Sequence, residues 1–321
     1  MYSRVQRDEP YRRDLVAHIQ RAYGLSVVGL AEATRGYYGE TWKLDTPTAS
    51  YFVKVDYASR HRAVFRDSLA VVQHLTRHGV TAIPSILATA DGALYTSYDG
   101  AILALFDWIE GDNVENQTTK PAEYAILAQV YTVPVEGVPI PRETFGCTAL
   151  DDYESLRQGL TGLDDDAAAG LLALLAAKAA LIQHSADRLR LFAGRCRGND
   201  EGFHITHGDA GGNIIVTEDG HYLVDWDDPV LAPPERDAWF CMDRAWAMET
   251  FAQALRGRGI AYTLNPDRLA YYHYHSFMAY LVEWLVPFYD LPHLRGALLE
   301  GVAGYFDGWI MNSRAYVDAI A

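Results

Sequence analysis

The sequence predicts an α+β fold in two unequal lobes, one β-rich and one mostly helical. Short runs rich in Val, Phe, Tyr and Thr fill residues 25–109 and are typical of strands. Beyond them the apolar residues recur mainly with helical spacing. The polar segment EGDNVENQTTKP at 110–121 is typical of a linker. We therefore expect an N-terminal lobe at 1–109, a C-terminal lobe at 110–321 and a hinge at about 104–111.

In the first lobe, helices and short strands are expected to alternate. A glycine ends each helix, and an Asp-Gly pair at 99–100 is a strong hairpin signal. In chain order, the expected elements are a helix over 10–24, strands over 25–31, 40–46 and 50–56, a helix over 61–78, and strands over 93–98 and 101–109.

The second lobe is expected to be helical with one embedded hairpin at 203–227. The apolar segment AAAGLLALLAAKAALI (167–182) follows three aspartates and contains Lys178, which favours a buried helix over a membrane span. A further helix is expected at 267–290, rich in aromatic residues.

Composition narrows the function classes. The formal net charge of −15 and the pI near 5.1 argue against a nucleic-acid partner and are compatible with a cationic small molecule. Three scattered cysteines without CxxC spacing indicate a reducing compartment. With no apolar signal core at the N-terminus, we expect a cytoplasmic protein without membrane association. The oligomeric state cannot be predicted.

The segment HITHGDAGGNIIVTEDGHYLVDWDDP (204–229) gathers polar residues around an apolar hairpin. If Thr217 pairs with Tyr222, Asn213 lies beside Asp225. Opposite residues in such a pair lie about 5 Å apart at Cβ. The two side chains are then within reach of one ion.

The residue types in this segment indicate phosphoryl transfer. Asn213 and Asp225 supply hard oxygen ligands, which suit Mg²⁺ and not zinc. Asp209 leads into the same hairpin and could accept the proton of a hydroxyl group, completing the equipment for transfer from a nucleoside triphosphate. One alternative is a metallohydrolase cluster of His204, His207 and Asp209, although no HExxH or HxHxDH spacing supports it. The other is a surface acidic loop.

The stretch HGDAGGNIIV…YLVDWDDP resembles the catalytic loop and metal-binding segment of the aminoglycoside phosphotransferase family, relatives of the protein kinases. The likeness is good over 203–240 and looser over most of the chain. It implies a protein-kinase-like two-lobed fold, with Asp209 as catalytic base, Asn213 and Asp225 as magnesium ligands, and His207 as a structural residue. Here four steps separate Asp209 from Asn213, where family members usually have five. Two intervening glycines could absorb the tighter turn.

The resemblance also indicates donor-binding residues. Lys54, inside the apolar strand SYFVKVD, is the candidate cation for the phosphates. In relatives this lysine pairs with a carboxylate on the following helix, and Asp67 is the only acid there. A phosphate-covering loop is expected at 32–41 with Gly36 and Gly39, although it is not a P-loop.

The nucleotide base is expected between the lobes. Phe106, Asp107 and Trp108, where an apolar strand enters the polar linker, would offer backbone groups to it and pack their side chains around it. A simple edge strand is the alternative for each residue.

The sequence gives fewer signals for the residues that bind the acceptor than for those that bind the nucleotide. The resemblance implies that C-terminal helices wall the acceptor site, which makes Glu283 on helix 267–290 a candidate ligand for an ammonium group. The aromatic residues of that helix can equally be core. Asp227 lies two residues from Asp225 and could bind a second metal, contact a substrate ammonium group, or only form hydrogen bonds. We expect Glu235–Asp237 to form an ion-pair network.

These observations predict a magnesium-dependent small-molecule kinase that uses ATP, or alternatively GTP. Within the family, residues 214–240 resemble the enzymes that phosphorylate spectinomycin. The expected acceptor is therefore the hydroxyl group of a cationic aminoglycoside or aminocyclitol such as spectinomycin, with antibiotic resistance as the outcome. One alternative is a metabolite kinase of the same fold acting on choline, homoserine, a sugar or another antibiotic. A pseudokinase-like binding protein is the other, suggested by the short loop and the missing helix glutamate.

Overall fold

An antiparallel sheet with a helix on each face forms the N-terminal part of the chain. The computed structural model describes residues 7–33, 39–59, 61–241 and 244–308. The elements of this part are α1 (Glu9–Tyr23), β1 (Gly29–Glu32), β2 (Gly39–Asp45), β3 (Ser50–Asp56), α2 (Arg62–Arg77), β4 (Ile86–Leu87), β5 (Thr96–Tyr98) and β6 (Ala101–Asp107). The strands are arranged in the order β1-β2-β3-β6-β4, and β5 also pairs with β6.

The two helices cover different faces of this sheet. Helix α1 begins after Asp8, whose side chain accepts from the Tyr11 backbone N–H, and ends at left-handed Gly24. It packs with Val53 and Val55 of β3 in one core cluster. Helix α2 packs Phe65 and Leu69 on Ala104 of β6 in another cluster. The first expected strand is shorter than predicted, since only Gly29–Glu32 pairs with β2.

The rest of the chain is mostly helical, so the predicted α+β class is confirmed. The long helix α9 packs on its neighbours with Tyr271, Tyr274, Phe277 and Phe288 fully buried, which shows that most of its aromatic residues are core. The helices are α3 (Lys120–Val130), α4 (Thr148–Leu160), α5 (Asp166–Ala177), α6 (Ala179–Cys196), α7 (Glu235–Ala238), α8 (Ala245–Gly257), α9 (Pro266–Asp290) and α10 (Arg295–Phe306), with short 3₁₀ turns at Trp239–Cys241 and Pro292–Leu294.

The single buried helix predicted at 167–182 is wrong. The chain breaks at Lys178, and α5 and α6 meet at a bend of 63°. In the described ranges, no single helix is long and apolar enough to cross a membrane. The bent pair α5–α6 passes that test only jointly, by length and composition.

Two small sheets hold the embedded hairpin. Four strands lie between α6 and α7: β8 (His204–Thr206), β9 (Ile214–Val216), β10 (His221–Leu223) and β11 (Val230–Ala232). β8 pairs with β11, and β9 and β10 form the hairpin. The supposedly structureless linker contributes a third strand, β7 (Asp112–Asn113), which pairs with β9. The lobe boundary at 109/110 stays a prediction.

The hairpin register differs from the expected one by two residues. His221 pairs with Val216, and the backbone N–H of Thr217 bonds to Gly220 O at 2.9 Å, closing a shorter turn than expected. Asn213 therefore lies opposite Val224, whose N–H donates to Asn213 O. Because side chains alternate with a period of two, a shift of two residues keeps every side chain on its predicted face. Asn213 still lies beside Asp225.

Candidate active site

Lys54 points from the central strand toward the hairpin of the second part of the chain. Val53 and Val55 face the α1 side of the sheet, so alternation along β3 turns Lys54 to the opposite face. Its Nζ donates to Asp225 Oδ1 at 2.8 Å and also to Asp227 Oδ2. The lysine side chain is only 6% exposed. The two ion pairs therefore join the two parts of the chain.

The charges in this cluster depend on one another. Burial would lower the pKa of Lys54, but the charges of Asp227 and Asp225 together outweigh burial and raise it. Enclosure by the protein raises the pKa of Asp227. It acts in the same direction on Asp225, but there the attraction of Lys54 outweighs it and lowers the pKa. His61, which favours ionised Asp227, hydrogen-bonds through Nδ1 to the fully buried Asp56. Of the roles considered for Asp227, the structure shows hydrogen bonding.

The predicted pairing of Lys54 with Asp67 is wrong. Asp67 Oδ1 accepts from Arg66 Nε at 2.9 Å, and the Asp67 side chain is 48% exposed. Helix α2 turns Phe65 and Leu69 toward the sheet. A residue midway between them on a 3.6-residue helix points away from it. Helical spacing alone could have excluded Asp67.

The short loop between Asp209 and Asn213 is closed by a tight turn. Asn213 N–H donates to Ala210 O at 3.2 Å, and Gly212 has φ +85°, the left-handed conformation that a type II turn requires at this position. A Cβ on Gly211 would lie 2.6 Å from the Phe240 ring. Both glycines are therefore required for the shorter spacing.

His207 links this loop to the second strand of the hairpin. Its Nε2–H donates to Val224 O at 2.9 Å, and its Nδ1 accepts from Asp209 N–H at 3.2 Å. Burial lowers the pKa of His207, which favours the neutral ring that this pair of bonds needs. A neutral histidine fixes the backbone of Asp209 next to the strand that leads to Asp225.

Asp237 anchors the same loop from the other side. Its Oδ2 accepts from Tyr131 Oη at 2.8 Å and from His207 N–H at 3.2 Å, and its Oδ1 accepts from Gly208 N–H at 2.5 Å. The side chain is buried. A carboxylate that accepts from three donors holds the backbone just before Asp209 in one position.

Glu235, Arg236 and Asp237 do not form the expected ion-pair network with one another. Glu235 accepts from Tyr262 Oη at 3.0 Å, and Arg236 pairs with Asp228 at 2.9 Å. Consecutive residues on the short helix α7 point in different directions, so each fixes a different neighbour.

A cavity of about 330 Å³ lies between the sheet and the hairpin. It is open to Lys54, Asn213 and both aspartates of the lysine cluster, and the three predicted hinge residues line it. Its walls are Ala33, Thr41, Phe52, Lys54, Val72, Pro84, Phe106, Asp107, Trp108, Ile109, Gly111, Asn113, Asn213, Ile215, Val224, Asp225, Trp226 and Asp227.

The hinge backbone offers one acceptor and one donor to this cavity. Trp108 N–H donates to Ser50 O at 3.3 Å, and Asp107 N–H donates to Ser85 O at 2.9 Å. Asp107 C=O points to the same edge as its N–H, toward Ser85. Outside the strand ladders of the described residues, neither this C=O nor Ile109 N–H takes part in a backbone hydrogen bond. Both groups lie on the same edge of the strand by alternation. Ile109 therefore replaces Trp108 as the expected backbone donor.

The predicted glycine loop is only partly visible. Gly36 lies outside the described residues. Gly39 begins β2 opposite Asp56, and a Cβ there would clash with the Val55 carbonyl oxygen, which explains the glycine by close strand approach. Gly39 does not line the cavity.

Asn213 and Asp225 fit a magnesium ion that is bound together with a nucleotide. Asn213 Nδ2 donates to Asp209 O at 2.6 Å, and no described residue donates to its Oδ1. Asp225 is 47% exposed and has φ +64°, a strained conformation typical of functional sites. Over the described ranges, no group of three or more His, Cys, Asp or Glu could hold a metal alone. Mg²⁺ needs only one or two protein oxygens when phosphates and water supply the rest.

Asp209 opens on a second cavity of about 220 Å³. Enclosure by the protein is the main influence that raises the pKa of Asp209 to about 7, and the charge of Asp225 adds to it. A carboxylate with a pKa near neutrality is a good proton acceptor. The other walls of this cavity are Glu115, Gly208, Ala210, Gly211, Arg236, Asp237, Trp239, Phe240 and Tyr280.

Sequence reasoning missed most of these walls. Glu283 does not line the cavity. The pKa of the neighbouring Tyr280 is raised mainly by enclosure in the protein, and the charges of Asp209 and Glu283 add to this. Glu115 and Phe240 were not singled out. Glu115 lies in a polar linker, where a carboxylate gives no recognisable pattern. Only the pairing of β7 with the hairpin brings it to the site.

A buried lysine facing an Asp–Asn–Asp set across a two-part fold defines a kinase-like phosphotransferase. The sequence matches the family model described as APH, phosphotransferase enzyme family, over residues 29–272 of its 321. The chain belongs to this family, which confirms the predicted resemblance.

Solved structures show the same fold. Spectinomycin phosphotransferase APH(9)-Ia in complex with ADP and spectinomycin has a TM-score of 0.72 at 18% identity, covering 92% of this chain and 93% of that one. The microcompartment-associated aminopropanol kinase has 0.66 at 13%, covering 95% and 98%. Amicoumacin kinase hAmiN, solved with AMP-PNP and Ca²⁺, has 0.59 at 13%, covering 92% and 94%. The predicted kinase-like fold is confirmed.

Proposed function

We propose that this protein is an ATP- and magnesium-dependent kinase that phosphorylates a hydroxyl group of a small cationic acceptor. One observation carries the proposal. Asn213 lines the first cavity and Asp209 lines the second, and a hydrogen bond of 2.6 Å joins the two residues. A donor in one cavity and an acceptor in the other would meet at this loop.

The hinge favours ATP over GTP. Adenine presents an amino donor at N6 and a ring acceptor at N1, which match Asp107 C=O and Ile109 N–H. Guanine presents an acceptor and a donor in the reverse order at these positions. Because a buried mismatch leaves polar groups unpaired, it costs more than a match gains. The apolar side chains Phe52 and Ile215 also line this cavity and suit a flat purine ring.

The catalytic step assigns a role to each residue. Asp209 accepts the proton of the acceptor hydroxyl as that oxygen bonds to the γ-phosphorus, and the bond from phosphorus to the β–γ bridging oxygen breaks to release ADP. Lys54 offsets negative charge on the donor phosphates. Asn213 and Asp225 would hold Mg²⁺, which supplies further charge stabilisation when bound. Catalysis of this kind depends on positioning and fixed charges.

An aminoglycoside or aminocyclitol is the proposed acceptor class, with spectinomycin first, and resistance by O-phosphorylation is the expected consequence. Similarity to spectinomycin phosphotransferase over most of both chains supports this choice. The comparable likeness to an aminopropanol kinase supports a metabolic amino alcohol as the second candidate. Fold alone does not choose between them.

The test is ADP formation by the purified protein with Mg²⁺ and ATP. The acceptors are spectinomycin, other aminoglycosides, 1-amino-2-propanol, choline and homoserine. We expect one acceptor to be turned over, and Asp209→Asn to lose at least about 100-fold in kcat. Asp219→Asn, in the exposed hairpin turn, is the matched control and should keep full activity. Absence of nucleotide binding would contradict the proposal, and binding without turnover of any acceptor would favour a pseudokinase-like protein.

A further inference from the structure

The tight turn at 209–213 rests on two side chains from outside it. A Cβ placed on Gly211 would lie 2.6 Å from the Phe240 ring, and a Cβ placed on Gly212 would lie 3.4 Å from Glu115 Oε2. One glycine therefore packs on an aromatic ring, and the other faces a carboxylate. The two side chains come from distant segments of the chain, so the shape of this support depends on what holds them together.

Both side chains meet at one buried ammonium group. Lys120 Nζ lies 3.6 Å from Glu115 Oε1 and 4.3 Å from the centre of the Phe240 ring. Both contacts are attractive, the first between opposite charges and the second between a cation and the face of a ring. The ammonium therefore fills the space between Glu115 and Phe240 and fixes the distance between the two supports of the turn.

The position of Lys120 is unfavourable for a cation unless it is compensated. The lysine is the first residue of α3, where the helix dipole repels positive charge, and its side chain is only 4% exposed. Its Nζ donates to Oε2 of the fully buried Glu123 at 2.8 Å, but Glu123 Oε1 has no hydrogen-bond partner among the described residues. Neutral residues of similar volume would be about as stable here, so stability alone does not account for this ion pair.

The stretch 113–120, which ends at Lys120, is also bound to the turn at its other end. Asn113 Nδ2 donates to Gly212 O at 2.7 Å. Two contacts from one short stretch therefore restrict the same turn, and only the one through Lys120 also involves Phe240.

We infer that Lys120 is a positioning residue for phosphoryl transfer. By holding Glu115 and Phe240 against the two glycines, it keeps the tight turn in one conformation. Asp209 and Asn213 then stay in place between the two cavities. Lys120 lines neither cavity, so it acts through its two contacts and not on a ligand. This inference rests on the proposed kinase function.

The test is the double variant Lys120→Met/Glu123→Gln, which removes the ammonium without leaving a buried unpaired carboxylate. We expect it to unfold at nearly the same urea concentration as wild type, because replacing a buried ion pair by neutral residues is often neutral for stability. With Mg²⁺, ATP and the best acceptor, its kcat should fall by about 10- to 100-fold, because the turn is displaced. Its KM for ATP should stay within about threefold of wild type, because the altered residues do not line the first cavity.

Arg295→Met is the matched control. It removes a cation that is 16% exposed, pairs with Asp165 and donates to Phe288 O at 2.8 Å. Arg295 lines neither cavity. The variant should unfold at a lower urea concentration and keep the kcat of wild type, which shows that loss of stability alone does not slow turnover.

The outcomes separate this inference from the proposed function. Wild-type kcat in the double variant, or a loss no larger than that in Arg295→Met, would overturn the role of Lys120 and leave the kinase intact. If the double variant does not fold, Glu115→Ala decides by the same criterion, since it leaves the buried pair in place. Glu115 is 44% exposed, and its removal should lower kcat by about 3- to 10-fold.

Failure of wild type to phosphorylate any acceptor would count against the proposed function. In that case, hydrogen–deuterium exchange of the bonded amides of Gly208, Asp209 and Asn213 decides the role of Lys120. Exchange at least about tenfold faster in the double variant, confined to this segment, supports the role. Equal exchange, or faster exchange throughout the chain, overturns it.

Discussion

Replacing Asp237 with Asn should destabilise the protein and displace the loop that carries Asp209. The carboxylate accepts from Tyr131 Oη, His207 N–H and Gly208 N–H, and all three contacts are buried or partly buried. An amide can accept at only one of the two oxygen positions. At the other, its NH₂ group faces a donor, so at least one charge-assisted bond is lost and one buried donor is left unpaired.

The expected cost follows from these contacts. A hydrogen bond to a charged group contributes about 1.5–3 kcal/mol, and an unsatisfied buried donor costs about 1–3 kcal/mol. We therefore expect Asp237→Asn to lower the free energy of unfolding by about 3–5 kcal/mol. Tyr131→Phe removes a single donor to the same oxygen and should cost about 1.5 kcal/mol. A shift of about 1 Å in the backbone before Asp209 would also reduce kcat by about 100-fold.

Urea unfolding of the three proteins at one pH measures the first effect, and ADP formation with the best acceptor measures the second. Tyr131→Phe is the matched control, since it leaves both backbone N–H contacts of the carboxylate in place. If Asp237→Asn costs no more than Tyr131→Phe, or unfolds earlier while keeping full kcat, then Asp237 does not position the catalytic loop.

Three further predictions concern other parts of the site. Asp67→Asn should leave the KM for ATP within about twofold of wild type and the free energy of unfolding within about 0.5 kcal/mol. Asp227→Asn should lower kcat/KM for ATP by at least about tenfold, because Asp227 and not Asp67 pairs with Lys54. Steady-state kinetics in which Asp67→Asn has the larger effect would contradict the observed lysine pairing. Gly212→Ala should cost about 1–2 kcal/mol from its φ of +85° and lower turnover, whereas Gly92→Ala, with φ +87° and open space around it, should show the strain in urea unfolding without loss of turnover. Burial raises the pKa of Glu123 from 4.5 to about 7, so the folded protein keeps a proton that the unfolded chain releases. The contribution of Glu123 to stability should therefore fall as pH rises from about 4.5 to 7 and then level off. The unfolding free energy of Glu123→Gln minus that of wild type should rise by up to about 3 kcal/mol across this window, and a difference independent of pH would refute the shift.

The hairpin of the candidate site could be predicted because its information is local. Asp209, Asn213 and Asp225 lie within one short segment, and the pairing of the hairpin places Asn213 opposite Val224 and so beside Asp225. The error of two residues in register did not change this result, because the period of a strand is two. The turn between Asp209 and Asn213 was also predictable, since two glycines make a tight turn possible.

Contacts between distant segments could not be predicted in the same way. The partner of Lys54 depends on how α2 and the hairpin pack against β3, and the lack of any other acid in α2 directed attention to Asp67. Asp237 and Glu115 reach the catalytic loop from segments about 30 and 100 residues away, through packing that leaves no local pattern in the sequence. Asp67 is different, because helical spacing from Phe65 was sufficient to exclude it.

Under the proposed function, the bridge from Lys54 to Asp225 would make the two ligands of the first cavity thermodynamically interdependent. A divalent ion bound at Asp225 and a phosphate bound at Lys54 would both compete with the same contact of 2.8 Å. The first of the two ligands to bind would have to break the Lys54–Asp225 ion pair, and the second would bind without that cost. Each ligand should therefore raise the affinity for the other, and by linkage the factor must be equal in both directions. The empty enzyme would then discriminate against free nucleotide and free metal in favour of their complex.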